Sequence, residues 1–459
     1  MVDAGPIVRK EHTKVDAGHT LSKYFFYGGM RATRGNLFMP TMQPRNLGGG
    51  SVWNSAICLR PPQWVLELWE QEHGLSGFAS GSLTRHYDAV EQFMGIKPVD
   101  DAVQGPRNEL FKQACDELRW EATPIHRNEE GCEGSGECFT GCPNDAKLST
   151  DKRGIPEVLQ AGGRVYTSVA AHRLIMDGRK VRGMEGYVRH PGTDAKGFPV
   201  TIRAKCTILA AGALATPEIM QRSGIDNSPV GSNLRFHPGT MVMGLFKDEV
   251  APWSGATQGY HCLDFLRDGI KLESLWATPS LMAFRFPGFG SQFQELLGQY
   301  RNMASWDAWV SGEDSVGLVK RQRGRRADIV YNIGERDMRR VQESMAKLCD
   351  MFFSVGASSV MVGVHGLPDV AHDRTIVDQL RQDLITVDRM PLASNHIFGS
   401  TAMGADPKRH AVDPSGAAYG VDHLYVTDTG ILPGSPYVNP MMPCMGLSHM
   451  IAENVLARY

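Results

Sequence analysis

The pattern of apolar and polar positions predicts helices in several parts of the chain. Apolar residues recur at helical spacing in VLELWEQEH, residues 65–73, and in LTRHYDAVEQFMG, residues 83–95. The longest amphipathic pattern runs from Glu335 to Val355, and another helical pattern occupies residues 445–459. Each of these segments should bury one face against the rest of the protein.

Between residues 150 and 225 the pattern alternates between helix and strand. A helix is predicted near residues 155–162. Strands are predicted at residues 164–169, 172–178, 180–189 and 201–212. A second helix follows, with Thr216 as N-cap and Pro217 in its first turn. Since α/β segments recur at residues 423–459, they predict a discontinuous nucleotide-binding domain interrupted by a substrate domain.

The predicted boundaries of the two domains follow these changes of pattern. The first domain comprises residues 1–60, 148–238 and 391–459. The second comprises residues 61–147 and 239–390, with a cysteine-rich loop at 131–147. A chain of 459 residues is long enough to form two cores, which agrees with this division.

Composition and charge narrow the classes of function. A net charge of −2 gives no reason to expect nucleic acid or an anionic membrane as a partner. No run of apolar residues reaches the length of a transmembrane helix, and MVDAGPIVRKEHTK lacks the apolar centre of a secretory signal. Six scattered cysteines in mostly apolar surroundings indicate a reducing compartment, so a cytoplasmic location is favoured.

Three segments in a fixed order carry the chemistry. The first is LGGGSVWN at residues 47–54, and the second is ILAAGALATP at residues 208–217. The third begins with HIFGSTAMG at residues 396–404 and continues through VTD to Val438-Asn439-Pro440. This ordered set resembles the glucose–methanol–choline (GMC) family of FAD-dependent oxidoreductases over nearly the whole chain.

The resemblance implies a fold and a reaction. The fold would be α/β, with a Rossmann-like FAD domain and a substrate domain built on a mixed sheet. The reaction would oxidise a small-molecule alcohol, such as a sugar or a sterol, to a carbonyl by hydride transfer to flavin N5. His396 would take the hydroxyl proton, because imidazole titrates near working pH, and Asn439 would orient the oxygen.

The resemblance also assigns residues to the cofactor. The residues expected around FAD are Asp3, Gly48, Gly49, Gly50, Ser51, Asn54, Val169, Ala211, Gly212, Asp428 and Pro440. The glycines let backbone N–H groups approach a planar ring or a diphosphate. Asp3 would bind the adenosine ribose and the backbone of Val169 would meet the adenine. The backbone of Asp428 would reach the flavin, while its carboxylate would cap the following turn.

Other residues near these motifs have less specific roles. His237 is interpreted as structural, with contact to the cofactor as the alternative. His449 lies in the last predicted helix and is interpreted as a packing residue. The segment 240–390 should line the substrate pocket. Its tryptophans are candidate walls or core residues: Trp253, Trp276, Trp306 and Trp309.

One motif of the family does not occur in this sequence. The family begins with a strand, a G-x-G-x-x-G turn and a helix, whereas this chain opens on Met1-Val2-Asp3, which resembles the end of the second strand. Roughly 30 residues of a first βαβ unit would therefore be missing. We expect that the natural start lies further upstream, which leaves export open. The alternative is a truncated, non-catalytic chain that does not bind FAD alone.

The cysteine-rich loop is the second unusual feature. Cys132, Cys138 and Cys142 have a spacing that suits an iron–sulfur cluster. The loop resembles that of the sugar dehydrogenases of the family, where three cysteines hold a [3Fe-4S] cluster that would pass electrons to a cytochrome or quinone. The alternatives are a structural loop, with free thiols or one disulfide, or a zinc site completed by His126. Without a cluster, oxygen or a diffusible acceptor would take the electrons.

Overall fold

The computed structural model of the chain describes residues 1–9, 16–190, 193, 195–226, 229–322 and 326–459. The helices in these residues are α1 Ala17–Tyr24, α2 Gln63–His73, α3 Thr84–Met94, α4 Pro106–Leu118, α5 Thr150–Gln160, α6 Ala215–Arg222, α7 Pro279–Met282, α8 Gly290–Gly298, α9 Glu335–Ser354, α10 Thr375–Gln382 and α11 Met441–Arg458. The strands are β1 Ile96–Pro98, β2 Ala122–Pro124, β3 His126–Asn128, β4 Val169–Asp177, β5 Lys180–Arg189, β6 Lys196–Arg203, β7 Thr207–Leu209, β8 Arg235–Phe236, β9 Gly239–Leu245, β10 Tyr260–Cys262, β11 Ile270–Leu275, β12 Met303–Val310, β13 Val316–Lys320, β14 Asp328–Asn332, β15 Ser359–Met361, β16 Ile397–Phe398 and β17 Leu424–Val426.

The largest sheet has six strands in the order β15-β9-β12-β11-β10-β2, and all its pairings are antiparallel. One face packs on α4 and α9. There Trp306 stacks on Phe352, with ring centroids 3.8 Å apart, and meets Phe111 edge-on. The register pairs Lys271 with Trp309. Because side chains alternate along a strand, these two residues share the opposite face of the sheet.

A second group of strands lies outside this sheet. β4, β5 and β6 form an antiparallel sheet, and β7 pairs with β17 in parallel. Val2 makes a single parallel bridge to Tyr166. The strand predicted at residues 201–212 is therefore two strands, because the chain leaves one sheet after Arg203 and enters the other at Thr207.

The predicted helices have direct counterparts in α2, α3, α6, α9 and α11. Helix α5 begins at Thr150, five residues before the predicted helix, directly after Ser149. The predicted strand at residues 164–169 forms only the bridge of Tyr166, and β4 starts at Val169. The architecture is mixed α/β, as predicted.

The hydrophobic core around α11 combines α2, α3 and α6 with the β4–β5 hairpin. Residues 63–94 thus pack on the same core as segments that the sequence assigns to the other domain. The two-domain boundaries stay a prediction. Among the described residues, no helix is both long and apolar enough to span a membrane.

Candidate active site

His396 and Asn439 lie side by side although 43 residues separate them in the chain. His396 precedes β16 and His237 follows β8, and the antiparallel pairing of these strands sets the two histidines next to each other. Their Nδ1 atoms are 3.1 Å apart. Asn439 directly precedes Pro440, the N-cap of α11, and its Nδ2 lies 3.3 Å from His396 Nε2.

Lys271 fixes the orientation of the Asn439 amide. The Lys271 side chain is fully buried on β11, and its Nζ donates to Asn439 Oδ1 at 2.8 Å. An ammonium group has no lone pair, so the atom facing it must be the amide oxygen and the amide nitrogen must face His396. His396 Nε2 therefore accepts a hydrogen bond and carries no proton.

The protonation of both imidazole rings follows from that orientation. With Nε2 unprotonated, the neutral His396 ring carries its proton on Nδ1 and donates it to His237 Nδ1. His237 then carries its own proton on Nε2, which donates to Ser435 Oγ at 3.0 Å. These hydrogen bonds run from Lys271 through Asn439, His396 and His237 to Ser435. They leave Nε2 of His396, with its free lone pair, as the basic atom of the cluster.

Lys271 belongs to a buried polar network on the face of the six-stranded sheet that also carries Trp309. Lys271 forms an ion pair with Glu273 two residues along β11. Gln258 Nε2 donates to Glu273 at 2.9 Å and to Asp307 at 3.5 Å. Burial, reinforced by the charge of Glu273, raises the pKa of Asp307 well above its ordinary value. Glu273, which forms the ion pair with Lys271, is the counter-ion of that ammonium group.

Burial also sets the charge of the two histidines. It lowers the pKa of His396 from 6.5 to about 4; the charge of Glu273 opposes this shift and that of Lys271 adds to it. Burial, with His396 as neighbour, lowers the pKa of His237 well below its ordinary value. Both rings are therefore neutral at pH 7, and His396 is poised to accept a proton rather than to donate one.

Trp309 is the candidate wall residue that contacts this cluster. Its ring stacks on His237, with centroids 4.3 Å apart and planes 8° from parallel, and meets His396 edge-on at 5.5 Å. Trp306 lies on the opposite, core face of the sheet. Trp276 is buried in a separate apolar cluster, and Trp253 lies beside Tyr300.

The glycine-rich loop presents open backbone. Gly48 has a φ of 92°, and the residues that follow form a 3-10 turn, Gly49–Val52. Ser51 Oγ donates to Gly48 O at 2.7 Å and lies 2.9 Å from Thr150 Oγ1, which ties the loop to α5. A Cβ added at Gly49 or Gly50 would meet nothing within 4 Å. The loop is thus held by hydrogen bonds through Ser51, while the space beside Gly49 and Gly50 is open.

Asp428 ties the second glycine turn to the end of β17. Its carboxylate accepts from the backbone N–H groups of Gly212 at 2.9 Å and Gly430 at 2.8 Å. It also accepts from the Thr216 hydroxyl. Because β7 and β17 are parallel neighbours, their carboxyl ends meet at one edge, where Gly212 adopts a φ of 86° beside open space. Ala211 is exposed at the same turn.

The two residues expected at the adenosine end are neighbours. The backbone N–H of Val169 donates to Asp3 O at 2.8 Å. The Asp3 carboxylate accepts from Gly5 N at 2.8 Å, and burial raises the pKa of Asp3 to about 6. Asn54 lies elsewhere, between the glycine loop and α11: its Nδ2 donates to Met441 Sδ, one residue after Pro440, at 2.9 Å.

The cysteine-rich loop surrounds a small cavity of about 10 Å³, lined in part by Cys132, Cys138 and Cys142. Within the part of the chain that the structure describes, the three sulfurs do not converge within 4.8 Å of one another. Arg127 donates to Cys138 Sγ at 3.4 Å. Burial opposes ionisation of that thiol, but the Arg127 and Lys147 cations outweigh it and lower the pKa of Cys138. The cavity has room for about one water molecule. His126, the residue considered as a further zinc ligand, is exposed.

Sequence reasoning missed part of this site. It did not single out Lys271, Glu273 or Ser435. One signal was available in β11, where the two charged residues stand two apart and so share one face of a strand. Nothing in that pattern indicates that the face is buried.

Comparisons with known proteins identify the family. The profiles of the GMC oxidoreductase family match residues 22–239 and residues 315–448. The chain belongs to the GMC oxidoreductase family. An uncharacterised GMC-type oxidoreductase of Mycobacterium tuberculosis is 32% identical over 90% of this chain and 64% of its own length. A long-chain-alcohol oxidase of Arabidopsis thaliana, FAO1, is 26% identical over 90% of this chain and 58% of its own length.

Solved structures confirm the α/β fold class. Pyridoxine 4-oxidase from Mesorbium loti superposes with a TM-score of 0.73 at 17% identity, covering 100% of this chain and 94% of that one. A formate oxidase superposes with a TM-score of 0.72 at 15% identity, with coverages of 100% and 93%. This chain thus spans less than two thirds of the length of the two relatives described above, although it covers these solved structures almost completely.

Proposed function

We propose that this chain carries the catalytic centre of an FAD-dependent enzyme that oxidises an alcohol to a carbonyl. The observation that carries the proposal is the His396–Asn439 pair, whose amide is held by Lys271 so that the basic lone pair lies on His396 Nε2. Family membership and relatives named as alcohol oxidases support the same class of reaction.

The residues present fit FAD. Open backbone at Gly49, Gly50 and Gly212, where a Cβ would meet nothing within 4 Å, suits close approach of a ring or a diphosphate. Asp3, beside Val169, offers a carboxylate to a ribose hydroxyl. FAD bound at these residues would supply the acceptor for the hydride that leaves the alcohol carbon.

The protein's own part in the reaction is to orient the alcohol and take its proton. Asn439 Nδ2 would donate to the alcohol oxygen, and the alcohol hydroxyl would donate to His396 Nε2. The substrate oxygen would thus replace the direct contact of 3.3 Å between these two side chains. His396 would receive the proton while its Nδ1–H stays bonded to His237, which keeps the ring from turning.

The proposed electron path does not include the cysteine-rich loop. The cavity between its cysteines has room for about one water molecule. The pKa of Cys138 is lowered by the protein's own cations, Arg127 and Lys147, and this shift needs no metal ion. A [3Fe-4S] cluster and a cytochrome partner have no support in these contacts. Iron and acid-labile sulfide analysis of anaerobically purified protein would detect a cluster directly.

The direct test is anaerobic titration of the FAD-loaded chain with aliphatic alcohols, sugars and sterols while the flavin absorbance is recorded. We expect at least one alcohol class to bleach the flavin. If the chain binds FAD but no alcohol reduces it, the proposal is wrong. If the folded chain does not bind FAD, the non-catalytic alternative is favoured.

Gly50→Val is expected to abolish or strongly weaken FAD binding without unfolding the protein. The new side chain would occupy the open space over the loop, where a Cβ meets nothing within 4 Å. Flavin content after FAD loading, together with the thermal unfolding midpoint, measures both effects. The matched control is Gly154→Val in α5, where a Cβ also meets nothing within 4 Å; it should leave FAD binding unchanged. Gly224 is unsuitable as a control because its φ of 78° would strain a valine.

The rate of flavin reduction is expected to stay flat from pH 8 down to about 5 and to fall to half near pH 4. The base must be neutral, and burial lowers the pKa of His396 from 6.5 to about 4. For the same reason the contribution of this histidine to stability is present above pH 6.5 and lost as the pH falls toward 4. Stopped-flow reduction across this range measures the midpoint, and an acid limb near pH 6.5 would contradict the assignment.

A further inference from the structure

A second group of ligating side chains lies between α3 and α11, outside the His396 site. His86 Nδ1 and His449 Nδ1 are 2.9 Å apart. Each of these nitrogens lies 3.9 Å from Glu453 Oε1. Within the described part of the chain, this is the group of three His, Cys, Asp or Glu ligand atoms that converges within 4.8 Å.

Helix geometry explains why the three side chains meet. His449 and Glu453 are four residues apart and so occupy one face of α11. Helix α3 approaches that face closely at Gly446, where a Cβ would lie 2.3 Å from the ring of Tyr87. This approach places His86, the residue before Tyr87, beside His449, and the His86 side chain is only 2% exposed.

The three atoms also form a set of ligands that suits a metal ion. Two imidazole nitrogens and one carboxylate oxygen form a ligand set typical of zinc and similar borderline metals. Each ligand would lie about 2.0–2.2 Å from such an ion, and the separations of 2.9 Å and 3.9 Å need only small side-chain movements to reach that arrangement. Arg85 binds Glu453 Oε2 at 2.6 Å, which leaves Oε1 directed at the histidines.

We propose that His86, His449 and Glu453 bind a divalent transition-metal ion of the zinc class, with water completing the coordination. Water has access because the side chains of His449 and Glu453 are about 40% exposed. The ion would cross-link α3 to α11. Since α11 begins two residues after Asn439, the cross-link would steady the helix whose first turn follows that residue.

The test uses the full chain after treatment with a chelator, titrated with Zn²⁺ in a calorimeter and with Co²⁺ in a spectrophotometer. We expect one site, visible ligand-field bands from bound Co²⁺, and a higher thermal unfolding midpoint in Zn²⁺. His449→Gln and Glu453→Gln, both at partly exposed positions, should each weaken binding roughly tenfold or more. His86→Gln is not needed, so a folding defect at that buried position does not confuse the result.

Two controls separate this site from other ligands. His73→Gln disrupts another histidine pair, in which His73 Nδ1 lies 3.0 Å from His410 Nε2, and should bind as tightly as the unmodified chain. Alkylation of the cysteines should also leave binding unchanged. If His449→Gln binds Zn²⁺ as the unmodified chain does, or if alkylation removes the site, or if no single site is found, the proposal is wrong.

Discussion

Replacing His396 with glutamine is expected to lower the rate of alcohol-driven flavin reduction roughly 10²–10⁴-fold, the usual contribution of a general base. Glutamine keeps a polar group of similar length but offers no basic nitrogen. The protein would lose the lone pair that the Lys271–Asn439–His396 chain exposes. Stopped-flow reduction under anaerobic conditions measures this step apart from reoxidation.

The control must separate a lost base from a lost buried ring. His410→Gln is suitable because His410 is also buried and also bonds another histidine, His73, at 3.0 Å. We expect this variant to reduce its flavin at the normal rate. If His396→Gln retains more than about a tenth of the original rate, a smaller effect than general-base catalysis usually supplies, His396 is not the base.

Lys271→Met is expected to damage both stability and turnover. Removal of the ammonium leaves the Glu273 carboxylate buried without its counter-ion, which costs about 3–5 kcal/mol of the free energy of unfolding in comparable pairs. The Asn439 amide is then free to turn its oxygen toward His396, so the flavin should be reduced roughly 10²-fold more slowly. Chemical denaturation and stopped-flow reduction measure the two effects separately.

A double variant distinguishes positioning from simple destabilisation. Lys271→Met with Glu273→Gln removes both charges, so we expect much of the lost stability to return. The rate of flavin reduction should remain low, because the Asn439 amide is still not held. Lys271→Arg, which keeps a donor cation, should recover part of the rate. If the double variant regains full turnover, Lys271 contributes to stability alone.

Much of the fold could be predicted from the sequence because its signals are local. The helical period in residues 335–355 fixes α9, whose buried side chains pack against the six-stranded sheet and against α10. The boundaries were less predictable. The strand expected at residues 201–212 breaks between β6 and β7, since β6 pairs with β5 while β7 pairs with β17 far along the chain. Periodicity alone does not contain such pairings.

The candidate site could likewise be predicted only in part. The motifs of the sequence determined the GMC family, the glycine turns at Gly49 and Gly212, and the two side chains expected to act on the alcohol, His396 and Asn439. These predictions rest on short motifs, each of which contains the residues that it predicts. Their proposed roles in binding and catalysis await the experiments above.

Only the tertiary structure decided which lone pair of His396 is basic and what holds it there. Lys271 and Glu273 alternate with apolar residues along β11, a pattern typical of a strand with one solvent-facing side, yet both side chains are buried. The sheet is covered on both faces: α4 and α9 pack on one, and His237, His396 and Asn439 contact Trp309 and Lys271 on the other. A residue's environment in a layered fold depends on elements that are distant in sequence, and the pattern of a single strand does not record them.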